Sequence, residues 1–116
     1  MTSNYQMSKA YSSMQVHTAS NPANICMLHT RCIFFVKQAL IDNQPNYRSF
    51  LDKAQNIIAE LEHALIIDDN LSRSLFYIYD YCYILLEQND PEKIRNALIL
   101  LTLLRDTFTE LVKENQ

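Results

Sequence analysis

Apolar residues recur every three or four positions along most of the chain after residue 20, and short polar breaks divide the pattern into four segments. Such spacing is typical of amphipathic helices, because it places the apolar side chains on one face. Asn-Pro and Asp-Pro pairs at two of the breaks favour helix starts, with the polar residue as cap and proline just inside. The pattern predicts helices over about 21–42, 47–67, 71–88 and 90–113, with the break after the second helix at Asp68-Asp69-Asn70.

The connections between these helices are short, and short connections make consecutive helices antiparallel neighbours. The sequence therefore predicts an all-α fold, an antiparallel up-down four-helix bundle over residues 21–116. Residues 1–20 are polar and rich in serine, with scattered apolar positions. We expect them to form a flexible N-terminal arm or one short helix.

The second helix has one clean apolar face, whereas each of the other three carries a second apolar stripe on its reverse side. A helix that faces a single core needs only one stripe, so the second stripes must be covered by something else. They consist of Met27, Phe34 and Ile41 on the first helix, Tyr77, Tyr81 and Ile84 on the third, and Ile99, Leu100 and Leu103 on the fourth.

Together these stripes predict an exposed apolar patch larger than a soluble monomer usually carries. Tyrosine suits such a surface, because its ring packs against a partner while water satisfies its hydroxyl when the partner is absent. Several coverings fit the pattern: burial inside an irregular bundle, the arm folded back, a second copy of the chain, or a different protein. Periodicity does not separate these alternatives.

Composition excludes several classes of function. The chain contains no glycine, which excludes the glycine-rich loops that bind phosphates and dinucleotides. A net charge of −3 with scattered basic residues argues against nucleic acid as a partner. No apolar run reaches the length of a membrane span, and the N-terminus lacks the apolar core of a secretory signal. Three cysteines cannot all pair with one another, so we expect reduced thiols and a cytoplasmic protein.

Candidate chemical sites are weak. Glu60 and His63 match a Glu-x-x-His motif of di-iron bundles, but the motif occurs once and points away from the apolar face. Cys26, His29 and Cys32 recur every three residues, yet two helical turns separate the cysteines by about 9 Å, too far for one zinc ion. No local motif places a nucleophile beside a base. The sequence predicts a protein without catalytic residues, metal or cofactor.

Taken in order along the whole chain, the four helices resemble the FliS-type flagellar secretion chaperones. No single motif is decisive, but four of them occur together at fitting spacings. The residues that carry the resemblance are Thr18-Ala19-Ser20, Lys53-Ala54-Gln55 with Ile57-Ile58 and Glu60-Leu61, Leu75 with Tyr79-Asp80-Tyr81, and Leu104-Arg105-Asp106 with Phe108.

The resemblance implies an antiparallel helical bundle that binds the disordered C-terminal segment of flagellin in the cytoplasm and prevents premature polymerisation before export. It also implies contact with the flagellar export apparatus and an arm, bearing Tyr5 and Tyr11, that covers the groove as a lid. The second stripes suit an amphipathic client laid helix-in-groove. The alternative is a helical homodimerisation or adaptor module with no flagellin client. The predicted partner-binding residues are Tyr77, Tyr81, Ile84, Ile99 and Leu103 from the stripes, and Ala54, Gln55 and Ile58 from the family motif.

Overall fold

Four helices account for most of residues 21–66 and 70–114, the parts of the chain that the computed structural model describes. The predicted all-α bundle is confirmed. Each helix starts within one residue of its predicted position, while the first two end about three residues early. Tyr5, Tyr11, Asp68 and Asp69 lie outside the described residues. The helices are α1 (Pro22–Ala39), α2 (Tyr47–Ala64), α3 (Asn70–Glu87) and α4 (Pro91–Glu114).

Capping side chains fix the starts of α1 and α4, as the sequence predicted. The Asn21 side chain accepts a hydrogen bond from the backbone N–H of Asn24 at 3.0 Å, with Pro22 in the first turn. The Asp90 carboxylate accepts one from the backbone N–H of Glu92, also at 3.0 Å. Each cap satisfies a backbone donor that has no partner inside the helix.

Asparagine takes the left-handed backbone positions in the loops after α1 and α3. Asn43 has φ 57° and Asn89 has φ 55°. Glycine usually fills such positions, but this chain has none, and asparagine is among the residues that tolerate them best. The reversal at Asn43 is the reason α1 stops before the predicted residue 42. After α3, Arg48 of α2 donates to the Leu86 carbonyl at 2.9 Å and to the Asn89 side chain at 2.8 Å.

The helices pack around a square. α1 lies beside α2 and α4, and α3 lies beside the same two helices, so α1 and α3 occupy opposite corners. The outward faces of α1 and α3 consequently point in opposite directions, and α4 lies between them on one side. The fully buried apolar side chains at the centre include Ile25 and Val36 of α1, Leu51, Ile58 and Leu61 of α2, Leu86 of α3, and Leu101 of α4.

Candidate partner-binding surface

The outward face of α3 carries the second stripe that the sequence predicted. Tyr77, Tyr81 and Ile84 are exposed, and 53% of the Tyr81 surface is accessible. Their positions follow from helix geometry, because each is rotated around α3 by about 100° to 180° from the buried Leu75 and Cys82. Three large side chains are thus presented to solvent on a helix whose other side already fills the core.

The outward face of α4 carries a matching pair. Ile99 and Leu103 are one turn apart and both exposed, with 60% of Leu103 accessible. Leu100, the third member of the predicted stripe, is only partly buried and packs against the core. It connects the exposed pair to the interior of the bundle.

These two rows lie on the same side of the molecule. On α3, the Tyr83 carbonyl and the Glu87 carboxylate accept hydrogen bonds from Gln55 of α2, so this flank of α3 faces α2. The opposite flank, which lies next to Tyr81, therefore faces α4. On α4, Thr109 contacts Cys26 of α1, so the flank that carries Leu100 faces α3. The antiparallel turn at 88–90 brings Tyr81 and Ile99 to similar heights along the bundle, to within about 3 Å from the rise per residue. We call Tyr77, Tyr81, Ile84, Ile99 and Leu103 the α3–α4 surface.

A second exposed row lies at the opposite corner of the bundle, on α1 and the turn that follows it. Met27, Phe34 and Ile41 are all exposed, as their predicted positions on the reverse side of the first helix require. The Phe34 ring meets Phe35 edge-on, with centroids 5.5 Å apart. We call Met27, Phe34 and Ile41 the α1 surface; α1 lies diagonally opposite α3 and beside α4.

The family motif on α2 lies inside the bundle. Ala54 and Ile58 are 0% exposed and Gln55 is 4% exposed. The backbone carbonyl of Ala54 even accepts a weak hydrogen bond from the Cys32 thiol at 3.5 Å. The expectation that these three residues contact a partner directly does not fit this burial. Helix geometry accounts for their burial, because Ala54 and Ile58 are four residues apart and share one face of α2 with the buried Leu51 and Leu61.

Gln55 joins α2 to α3 through its side-chain amide. The amide nitrogen donates to the Glu87 carboxylate at 2.6 Å and to the Tyr83 carbonyl at 3.1 Å. The amide oxygen accepts from the Arg48 guanidinium at 2.5 Å. A buried amide with both ends paired fixes the register of two helices, which is a structural role.

A buried polar pair at the centre of the bundle was not predicted from the sequence. Nε2 of His29 lies 2.9 Å from the hydroxyl of Tyr79, joining α1 to α3 across the diagonal. Phe108 of α4 packs against the other side of the imidazole, with ring centroids 5.2 Å apart. Periodicity contained the signal for Tyr79, which lies four residues after the core Leu75 and three before the core Cys82.

Burial sets the protonation states of this pair. It lowers the pKa of His29 to about 4, an effect that nearby Arg105 reinforces and that the backbone of Ile25 opposes. Burial also raises the pKa of the Tyr79 hydroxyl far above its usual range. Both groups are therefore neutral near pH 7, and the pair acts as an uncharged hydrogen bond rather than as an acid or base.

The cysteines likewise offer no reactive thiolate in the interior. Burial raises the pKa of Cys82 to about 12 and that of Cys32 higher still. Among the described residues, no group of three His, Cys, Asp or Glu side chains is placed to hold a metal ion. Over the same residues, no helix has the length and apolar character that crossing a bilayer requires.

Comparison with known proteins identifies the family of this chain. The model of the family described as "Flagellar protein FliS" matches residues 2–115. A similar protein, the flagellar secretion chaperone FliS of Bacillus subtilis (strain 168), is 32% identical over 115 residues. That match covers 92% of this chain and 86% of the relative. On the extent of both matches, the chain belongs to the FliS family of flagellar proteins.

Proposed function

We propose that this protein is a cytoplasmic export chaperone that binds the C-terminal segment of flagellin on its α3–α4 surface. Membership of the FliS family supports the general role, that of a chaperone in flagellar export. The observation that supports binding of flagellin at this place is the α3–α4 surface itself, which consists of five large exposed apolar or aromatic side chains on two adjacent helices. Exposed rows of this kind typically mark protein interaction sites.

The geometry of this surface suits a helical client. The two rows run along neighbouring antiparallel helices, so an amphipathic segment would lie along the seam and insert its apolar residues between them. The client residues covered in this way are those that would otherwise pair with other client molecules. Shielding them prevents polymerisation until export, with no chemical step.

A disordered client fits this mode of binding. A segment that folds as it binds loses conformational entropy, which a long apolar interface must offset. The tyrosines supply large contact areas at a low entropic cost, since only two side-chain torsions are fixed for each. Binding by Tyr77 and Tyr81 therefore gives a stoichiometric but reversible complex, as release for export requires.

The N-terminal arm is part of the proposal. We propose that residues 1–20 cover the α3–α4 surface when no client is bound, with Tyr5 and Tyr11 as the contacting side chains. The support is the family resemblance and the apolar spacing of the arm. Removing residues 1–20 is expected to speed association with a flagellin segment by about tenfold, since a competing internal occupant is lost. An unchanged association rate would contradict the lid.

The main test compares single acidic substitutions on the two exposed surfaces. Tyr81→Glu and Leu103→Glu should each weaken binding of a labelled flagellin C-terminal segment by at least about tenfold, because a charge would be buried against apolar side chains. Helix content by circular dichroism should stay unchanged. Phe34→Glu, the same kind of change on the α1 surface, is the matched control and should bind normally.

Two results would contradict the proposal. The first is full affinity in both α3–α4 variants. The second is a tight homodimer in sedimentation experiments that the flagellin segment neither joins nor dissociates, which would favour a dimerisation or adaptor module.

A further inference from the structure

We infer that the α1 surface is a second docking site, for an acidic amphipathic helix of a protein other than the flagellin segment. This goes beyond the proposed function, because Met27, Phe34 and Ile41 lie on the helix diagonally opposite α3 and are not part of the α3–α4 surface. The inference starts from three exposed side chains, Met27, Phe34 and Ile41, that have no role in the core.

Their spacing specifies the shape of the occupant. Met27, Phe34 and Ile41 are each seven residues apart. Apolar residues repeated every seven positions form a nearly straight seam along a helix, which a second helix covers when the two cross at a shallow angle. The helical part of the seam, from Met27 to Phe34, extends over about 10 Å, and Ile41 continues it in the turn after Ala39.

The aromatic side chains next to this seam add a rigid contact area. Phe34 packs edge-on against Phe35, and Phe35 in turn stacks on Phe50 of α2, with centroids 6.3 Å apart. The Lys53 ammonium lies 5.5 Å from the centroids of both the Phe35 and Phe50 rings. Phe34 therefore projects from a supported cluster whose border is cationic.

The charges along α1 specify the chemistry of the occupant. Arg31 and Lys37 are exposed on either side of Phe34, and α1 contains no Asp or Glu. With Lys53 on the neighbouring helix, three cations border the middle of the apolar seam, whereas the exposed carboxylates Asp42, after Ile41, and Glu60, seven residues after Lys53, lie towards its ends. A partner helix that carries carboxylates beside its own apolar residues would complement this arrangement.

The same charges disfavour a second copy of the chain. In an antiparallel pair of α1 helices centred on Phe34, Arg31 of each copy lies opposite Lys37 of the other. In a parallel pair each cation faces itself. Within α1 itself neither arrangement places a carboxylate opposite Arg31 or Lys37, so self-pairing centred on Phe34 brings like charges together.

The N-terminal residues of the chain also lack the required charge. Residues 1–20 contain Lys9 and no Asp or Glu. Their sequence offers apolar side chains but nothing to pair with Arg31, Lys37 or Lys53. Charge complementarity therefore points to an external acidic helix.

Two synthetic helical peptides test this directly with the full-length protein. Both carry leucines in a seven-residue repeat; one has glutamates flanking the leucines and the matched peptide has lysines. By fluorescence anisotropy, the glutamate peptide should bind at least about tenfold more tightly than the lysine peptide, and raised salt should reduce that preference. Equal binding of the two peptides, or binding of neither, would overturn the inference.

Variants then locate the binding. Phe34→Glu should weaken binding of the glutamate peptide by at least about tenfold, because it places a carboxylate at the centre of the seam. The double change Arg31→Glu with Lys37→Glu should reverse the preference towards the lysine peptide. Tyr81→Glu should leave peptide binding unchanged, and a saturating flagellin segment should not displace the peptide. These controls distinguish a failure of this inference from a failure of the proposed function.

Three other occupants would be revealed by the same set of proteins, and each would overturn the inference. Sedimentation that shows self-association lost in Phe34→Glu would assign the surface to a second copy. Glutamate-peptide binding that appears only after residues 1–20 are removed would assign it to the chain's own N-terminal segment. Binding to anionic phosphatidylserine vesicles that is lost in Arg31→Glu with Lys37→Glu would assign it to a membrane surface.

Discussion

Tyr79 and Tyr81 are two residues apart on α3 and have opposite surroundings. Tyr79 is 1% exposed and its hydroxyl meets His29, whereas Tyr81 is half exposed and faces solvent. Two residues correspond to about 200° of rotation around a helix, which is enough to turn one ring inward and the next outward. One residue type thus serves stability at the first position and contact with a partner at the second.

Elsewhere in the bundle, too, some polar side chains are buried while some large apolar side chains are exposed. Polar side chains such as His29 and Gln55 lie inside the bundle, where each has hydrogen-bond partners. Large apolar side chains such as Ile99 and Leu103 lie outside it. Buried polar groups define one arrangement of the helices, while exposed apolar groups leave surface available for another chain. Stability and binding should therefore respond to different substitutions.

The largest effect is expected at Tyr79. Tyr79→Ala removes a fully buried ring and leaves Nε2 of His29 without its partner, so the free energy of unfolding should fall by about 3–5 kcal/mol. Tyr79→Phe, which keeps the ring, should cost about 1–3 kcal/mol. Urea denaturation measures both changes. A cost below about 1 kcal/mol for Tyr79→Ala would show that the ring is not part of the core.

Lowering the pH tests the partner of Tyr79. The folded-state pKa of His29 is about 4, below its ordinary value of 6.5, so the unfolded chain binds more protons between these values. The contribution of neutral His29 is complete above pH 6.5 and is lost progressively as the pH falls towards 4. Between pH 7 and pH 5 the free energy of unfolding should fall by about 2 kcal/mol from this group alone.

A matched variant isolates that effect from the carboxylates, which also titrate on the acid side. His29→Gln keeps a hydrogen-bonding group near Tyr79 and removes the titration. The difference in unfolding free energy between pH 7 and pH 5 should shrink by about the same 2 kcal/mol in this variant. An identical pH profile in both proteins would mean that His29 is not buried as described.

Gln55 should give a smaller loss. Gln55→Ala breaks the contacts with Arg48, Tyr83 and Glu87, but water can reach the Arg48 and Glu87 side chains once the amide is gone. We expect a loss of about 1–2 kcal/mol in the free energy of unfolding. Flagellin-segment affinity should change little when measured under fully folding conditions. Strongly reduced affinity for the flagellin segment in a stably folded Gln55→Ala protein would mean that Gln55 contributes to binding after all.

Periodicity alone predicted the helices and the outward stripes, apart from Leu100, which packs against the core, because these features depend on local spacing. Periodicity did not predict the side-chain partners that are distant in the sequence. Local spacing groups Tyr79 with the buried Leu75 and Cys82, but it does not indicate that the Tyr79 hydroxyl meets His29, fifty residues away. The family motif around Gln55 suggested a binding site, yet its register on α2 places it in the bundle. The ends of α1 and α2 each came about three residues before their predicted positions, and only the first is followed by a left-handed asparagine, Asn43.

The smallest effect on stability is expected at an exposed apolar residue, Ile99. Ile99→Gln keeps a similar length on α4 and removes apolar surface that already lies in water, so the free energy of unfolding should change by no more than about 0.5 kcal/mol. Leu101→Ala, two residues further along and fully buried, should cost about 2–5 kcal/mol and serves as the control. Affinity for a flagellin segment should show the reverse order, weakened by Ile99→Gln and little changed by Leu101→Ala at temperatures where both proteins are folded. If Ile99→Gln destabilised the protein as much as Leu101→Ala, Ile99 would be covered by the chain itself, and it could not be part of an open surface that waits for a partner.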